Sequence, residues 1–180
     1  MMILKILLVV CVAMIGILVF AGTKPNTFRI ERSITINAPP EKVFALIDDF
    51  HQWPRWAPQD REDATMRRSY GQQSSGVGAV SQWTSKGSAG AGEMTITAAI
   101  PDSRVDITVD WIKPFKARNT HEFEMTPVGQ HVRVSWNAES SNLYMMKIME
   151  VFVGINGLMG KHFENGLKNL KAAAERAETS

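Results

Sequence analysis

The sequence predicts an α+β fold. An antiparallel sheet of about seven strands curls around a long C-terminal helix, with two short helices after the first strand. Three observations carry that expectation. The stretch 142–176 has no proline, and Met145, Met149, Phe152, Met159, Phe163, Leu167, Leu170 and Ala174 recur every three or four residues, the period of one helix face lying on a core. Between residues 79 and 138, short runs alternate apolar with polar residues and are separated by Gly- or Pro-bearing turns, so each strand has one covered and one wet face. The long helix arrives last and is the downstream segment able to supply the cover.

Residues 1–23 stand apart from this domain. Lys5 is followed by ILLVVCVAMIGILVFAG, uncharged from Ile6 to Thr23. That length is enough for a short membrane span. It also fits a cleaved secretory signal, with Val19 and Ala21 small enough for the cleavage-site positions, or a buried helix. Lys24, Arg29 and Arg32 outnumber Lys5, which by the positive-inside rule favours a cytoplasmic domain, whereas a cleaved signal would export it. The expected organisation is an anchor or signal at 1–23, a tether at 24–27, one domain at 28–176 and a tail at 177–180.

Within the domain, Phe28, Ile30, Arg32, Ile34 and Ile36 share one side of a first strand, with Arg32 the exception on an apolar face. An arginine there can lie at the sheet edge or run its stem along apolar surface. Pro40 opens a helix that buries Val43, Phe44, Ile47 and Phe50 and breaks near Asp49. A second short helix or turn carries Trp53 and Trp56, and 60–67 reads as a polar loop. Strands follow at 65–70, 79–85, 92–100, 105–111, 117–125 and 132–138, with Met94, Ile96, Ala98 and Ile100 expected on the covered face. Ser140, Ser141 or Asn142 then caps the long helix.

By parity the covered face receives Trp83, Trp111, Trp136, Phe123 and Met125, and the helix brings Met145, Met149, Phe152, Met159 and Phe163. Methionine fills irregular space, so these residues either pack solidly or line a pocket. Asn119 and His121 share the parity of Phe123. Unpaired and buried they would cost roughly 1–3 kcal/mol each, so they need partners, water or a ligand. Trp53 and Trp56, stiffened by Pro54 and Pro58, suit a pocket mouth, a membrane-facing aromatic patch or a core plug. Gly154, Gly157 and Gly160 mark close packing or a bend in the long helix. The candidate ligand-binding set is therefore Trp53, Trp56, Trp83, Trp111, Asn119, His121, Phe123, Trp136, Met145, Met149 and Phe152.

Other chemistry is poorly represented. The formal net charge is +2, with basic and acidic residues interleaved, so there is no electrostatic footprint for nucleic acid. Cys11 is the one cysteine, which removes disulfides and cysteine metal sites within one chain. His51, His121, His131 and His162 show no short metal-ligand spacing, and no nucleophilic triad is supported. Gly71–Gly92 is glycine-rich but lacks the Walker lysine and the dinucleotide fingerprint. No cofactor, metal ligand or catalytic residue is assigned.

The segment ERSITINAPPEKVFALIDDFHQWPRWAP resembles the opening of the polyketide cyclase/START-like superfamily, the helix-grip fold also seen in birch-pollen allergen relatives. GQQSSGVGAVSQWTSKGSAGAGEMTI, WIKPFKARNTHEFEMTPVGQHVRVSWNAE and MGKHFENGLKNLKAAAE continue the likeness, which spans about 28–176. It implies a seven-stranded antiparallel sheet gripping the C-terminal helix over a hydrophobic cavity. Members bind lipids, polyketides, sterols, plant hormones or quinones, and some catalyse cyclisation, without a universal catalytic set. Three functions follow as expectations: a membrane-associated carrier of an apolar small molecule or lipid, an enzyme on an aromatic or polyketide substrate using His121 and Asn119, or a partner-binding module whose protein partner is unknown.

Overall fold

In a computed structural model the described residues are 2–23, 27–141 and 155–176. Helix α1 (Met2–Gly22) precedes the domain. Several of its side chains are exposed and apolar, among them Val12, Ile15, Val19 and Phe20. Among the described residues, no helix is long and apolar enough to cross a membrane. The expected transmembrane helix finds no support there, and it drew in part on residues 1–4, 7–11 and 13, whose side chains lie outside the description. The expected tail, 177–180, lies outside it too.

Strand β1 (Thr27–Ile36) leads to α2 (Pro40–Asp48), a 3-10 helix (Phe50–Arg55) and α3 (Pro58–Glu62). Pro40 and Pro58 each open a helix in the first turn, where the missing N–H is not needed. Asp49 ends α2 in extended geometry, and its carboxylate accepts from the His51 N–H at 2.9 Å to start the 3-10 turn. The expected loop at 60–67 is thus helical as far as Glu62.

The sheet follows with β2 (Arg67–Tyr70), β3 (Val80–Thr84), β4 (Ala91–Ile100), β5 (Arg104–Lys113), β6 (Ala117–Val128) and β7 (His131–Ser141). Its order is β1-β7-β6-β5-β4-β3-β2, with every described pair antiparallel. Two expectations need correction. Strand β7 runs on to Ser141, which pairs with Thr27, so Ser140 and Ser141 are strand residues and not helix caps; Asn142 lies outside the described residues. In β4 the register shifts between Ile96 and Ala98. One extra residue flips the following side chains to the other face. Ala99 therefore packs on the core, while Ile100 is 55% exposed.

Elsewhere parity holds, and inward residues line up in rows across the strands. Arg68, Trp83, Gly92, Trp111 and Ala117 form one row. Ser81, Met94, Val109, Asn119, Ser140 and Phe28 form the next, then Ile96, Ile107, His121, Ala138 and Ile30. Val105, Phe123, Trp136 and Arg32 follow. Large rings therefore alternate with small or polar positions across the concave face.

Helix α4 (Ile155–Glu175) crosses this face and buries Phe163, Leu167, Leu170, Ala173 and Ala174. Two of its glycines admit side chains from the sheet. The Arg32 guanidinium lies against Gly160, and the Trp136 ring lies against Gly166, where an added Cβ would meet it at 2.6 Å. Arg32 also donates to Glu164 Oε1 at 3.0 Å, so its charge on an apolar strand face is answered from the helix. Gly157 faces open space, and Gly154 lies outside the described residues.

Gly92 has a comparable role within the sheet. A Cβ there would meet the Trp83 ring and, at 2.6 Å, the Asp110 carbonyl. The indole crosses the strand because nothing stands in its way. Gly92→Ala is expected to destabilise the domain by about 1–3 kcal/mol through overpacking against backbone, read as a lower urea midpoint with unchanged slope. Wild-type stability in that variant would show that the strands can part at this point.

Candidate ligand-binding cavity

The two tryptophans after α2 are fixed by the end of that helix. The last carbonyls of a helix lack intrahelical partners. Here the Trp56 N–H donates to the Leu46 carbonyl at 2.8 Å and the Trp53 N–H to the Ile47 carbonyl at 2.9 Å. Their rings turn inward and lie 4.6 Å apart between centroids. Trp56 is fully buried and meets Phe123 and Trp136 edge-on, both at 6.0 Å. Phe123 stacks on Trp136 at 4.8 Å. This aromatic block fills the region between sheet and helices toward α2.

Beyond the block, sheet and helix do not close completely. A void of about 70 Å³ remains, bordered by Trp53, Trp83, Trp111, Trp136, Asn119 and His121 from the candidate set. Trp56 and Phe123 stand behind that wall. Met145, Met149 and Phe152 lie outside the described residues. Phe28, Met66, Arg68, Met94, Ser140, Met159, His162 and Phe163 also border the void. Several of these carry the same parity or helical signal as residues already singled out: Phe28 precedes Ile30 by two, Arg68 pairs with Trp83 across β2 and β3, and Met66 precedes Arg68 by two. Their inclusion required knowing how far along each strand the aromatic block extends.

Asn119 and His121 meet the cost of burial through tryptophan. Trp136 Nε1 donates to His121 Nδ1 at 3.1 Å. The Asn119 amide, oriented to satisfy its neighbours, donates to Ser140 Oγ at 2.5 Å and to the Arg118 carbonyl at 3.1 Å, while its oxygen accepts from Trp111 Nε1 at 3.1 Å. Trp83 Nε1 donates to the Ala89 carbonyl at 2.9 Å. Every indole N–H around the void is therefore bonded within the protein.

Of the charged residues on the wall, Arg68 is neutralised within the protein. Arg68 makes a two-pronged bond to Asp60, at 2.6 and 2.7 Å, and donates to Ser81 Oγ at 3.0 Å. Both side chains are under one-tenth exposed, the geometry a buried ion pair needs to offset its desolvation. Burial, reinforced by the neighbouring His162, holds His121 down at about 4. Burial also depresses His162, with Glu62 opposing. Both rings are thus neutral at pH 7. With Nδ1 accepting from Trp136, the His121 proton sits on Nε2. Among the described residues, no group of three or more His, Cys, Asp or Glu is placed to hold a metal ion.

Comparison with known proteins agrees with this architecture. The family model described as polyketide cyclase / dehydrase and lipid transport matches residues 27–175. No curated protein sequence matches the chain. Among solved structures, a protein from Chromobacterium violaceum superposes with a TM-score of 0.59 at 18% identity, covering 86% of this chain and 100% of that one. Ara h 8.0201 gives 0.57 at 14% identity, over 82% and 97%. The di-domain ARO/CYC BexL of the BE-7585A biosynthetic pathway gives 0.65 at 14%, over 88% of this chain and 53% of its own, so the chain spans about half of that protein. These likenesses establish the fold, a seven-stranded antiparallel sheet gripping a C-terminal helix. With 27–175 matched and the helix-grip architecture in place, the chain belongs to the polyketide cyclase / dehydrase and lipid transport family.

Proposed function

We propose that this chain is a membrane-associated binding or carrier domain for an apolar small molecule, lipid-, quinone- or polyketide-like, held between the concave sheet and the C-terminal helix. The observation that carries the proposal is the chemistry of the wall. Four indoles border the void, and all four N–H groups are spent on protein acceptors. What they present to a guest is their apolar body. Small-molecule sites are mostly apolar, with a few placed polar groups.

The size of the void adds a condition. About 70 Å³ is less than half of a cavity of about 150 Å³ that takes up benzene. A larger guest requires wall residues to yield. Met66, Met94 and Met159 are suited to this, being unbranched and able to repack. The exposed apolar side chains of α1, including Val12, Ile15, Val19 and Phe20, support attachment to a lipid surface.

Proton transfer by His121 and Asn119 has less support. The basic nitrogen of His121 is occupied by Trp136, its ring is held neutral, and the Asn119 amide is engaged at both ends. A general base works best with a pKa near the working pH. The di-domain ARO/CYC BexL shares the fold, and that likeness supplies no base here.

Native mass spectrometry of gently purified full-length protein is expected to show a bound apolar molecule, or uptake of one added in micelles. A bare protein that takes up no apolar compound would end the carrier reading. The full chain is also expected to float with liposomes in a density gradient, and recovery of all of it in the lipid-free fraction would remove membrane association.

The neutral His121 can be checked through stability. Its folded pKa of about 4 lies below its ordinary 6.5, so between those values the unfolded chain binds more protons. Stability from this group is full above pH 6.5 and is lost as pH falls toward 4. At about 1.4 kcal/mol per pH unit the loss is roughly 3 kcal/mol. His121→Gln keeps an acceptor for Trp136 and is expected to remove that part of the slope in urea unfolding across the window, leaving a smaller slope of the same sign from His162. An unchanged slope would mean that His121 ionises freely in the folded protein.

A further inference from the structure

We infer that the cavity selects apolar compounds bearing a hydrogen-bond-accepting oxygen, foremost a ring ketone or quinone carbonyl, and that the Nε2–H of His121 is the group that selects them. This rests on the proposed binding function and names the chemistry of its guest. The polar groups of the surrounding sheet are mostly closed to a ligand. The Trp53, Trp83, Trp111 and Trp136 N–H groups all donate to protein acceptors. Both ends of the Asn119 amide are bonded, and three N–H groups of Arg68 are taken by Asp60 and Ser81.

His121 differs from these. It lies on the third cross-strand row, between Ile107 on β5 and Ala138 on β7. Its ring is bracketed by Trp136 at 5.7 Å and Phe163 at 5.8 Å. One nitrogen, Nδ1, accepts from Trp136. Among the described residues the other has no hydrogen-bond partner, and it is not one of the two fully buried polar atoms lacking one, Asp48 Oδ1 and Asn137 Oδ1. It therefore keeps contact with accessible space, and the ring borders the cavity. A neutral imidazole whose Nδ1 accepts can offer only a donor at Nε2.

That fixes what a guest must bring. A carbonyl oxygen accepts and donates nothing, and its remaining body can be wholly apolar, as the rings around it demand. A hydrocarbon leaves the Nε2–H dry and unpaired, which is the penalty that lets a polar site reject an analogue lacking its partner. A head that only donates finds no acceptor at His121. Depression of the His121 pKa by burial keeps the ring in this form at neutral pH.

The test uses the full-length chain with two compounds of one skeleton, 1-tetralone and tetralin, whose affinities are measured by titration calorimetry. Replacing a methylene by a carbonyl should improve binding about tenfold in the wild type relative to His121→Phe, which removes the donor and keeps a flat ring. His121→Gln, with an acceptor for Trp136 and an amide N–H for the guest, should retain most of the preference. The infrared carbonyl stretch of bound 1-tetralone should shift to lower frequency in the wild type and His121→Gln, and return to its apolar-solvent position in His121→Phe. Tetralin binding by His121→Phe verifies that its cavity is intact. An equal tetralone-to-tetralin ratio in wild type and His121→Phe overturns the selection by His121 while leaving apolar binding standing. Failure of the wild type to bind either compound overturns the binding function and this inference with it.

Discussion

Burying an indole gains a large apolar contact, but the ring carries an N–H that must find an acceptor. The architecture of this domain depends on meeting that demand five times. Two of the tryptophans use the unfinished end of α2, Trp56 on Leu46 and Trp53 on Ile47. Trp83 uses the carbonyl of Ala89 in the turn before β4. The remaining two sit on strands whose carbonyls belong to the sheet, and they use inward-facing side chains from β6, Asn119 for Trp111 and His121 for Trp136. Strand β6 thus carries polar residues on its covered side because the strands flanking it carry tryptophans.

That reciprocity explains which part of the site could be found in the sequence. Alternation alone places Trp83, Trp111, Asn119, His121, Phe123 and Trp136 on one face, and the structure puts them there. Alternation does not say whether an inward polar residue serves a neighbour or a guest. Asn119 serves its neighbours entirely, whereas His121 serves Trp136 with one nitrogen and has the other to spare. The difference lies in cross-strand register, which pairs Asn119 with Ser140 and Val109 but His121 with Ala138 and Ile107. Register of this kind is set by the turns that join the strands, which parity cannot foresee; the bulge in β4 is equally hidden from parity and exchanges Ala99 and Ile100 between core and solvent. Over 155–175 the C-terminal helix was legible through its apolar stripe, yet how closely it seats on the sheet was not, since that depends on which residues meet at Gly160 and Gly166.

The same contacts account for the modest size of the void. Phe163 lies 4.3 Å from Trp136 between ring centroids, and Gly166 lets that indole approach the helix backbone. On this flank the helix is seated tightly, through Leu167 and Leu170 as well. On another part of the wall the lining is Met66, Met94 and Met159 in place of rings. A tight aromatic flank and a compliant sulfur-bearing flank give the chamber a fixed floor and a deformable side. His121, beside Trp136 and Phe163, belongs to the floor, and the methionines belong to the side.

The far end of the sheet has its own logic. Strand β2 is the outermost neighbour of β3 and contains four residues, RRSY. An unpaired strand edge is a template on which another chain can add its own strand. Here the template is only four residues long, and the Arg67 guanidinium turns back to the carbonyls of Ala64 and Met66 just before it. At this edge of the sheet a second copy of the chain therefore meets almost no backbone on which to add a strand.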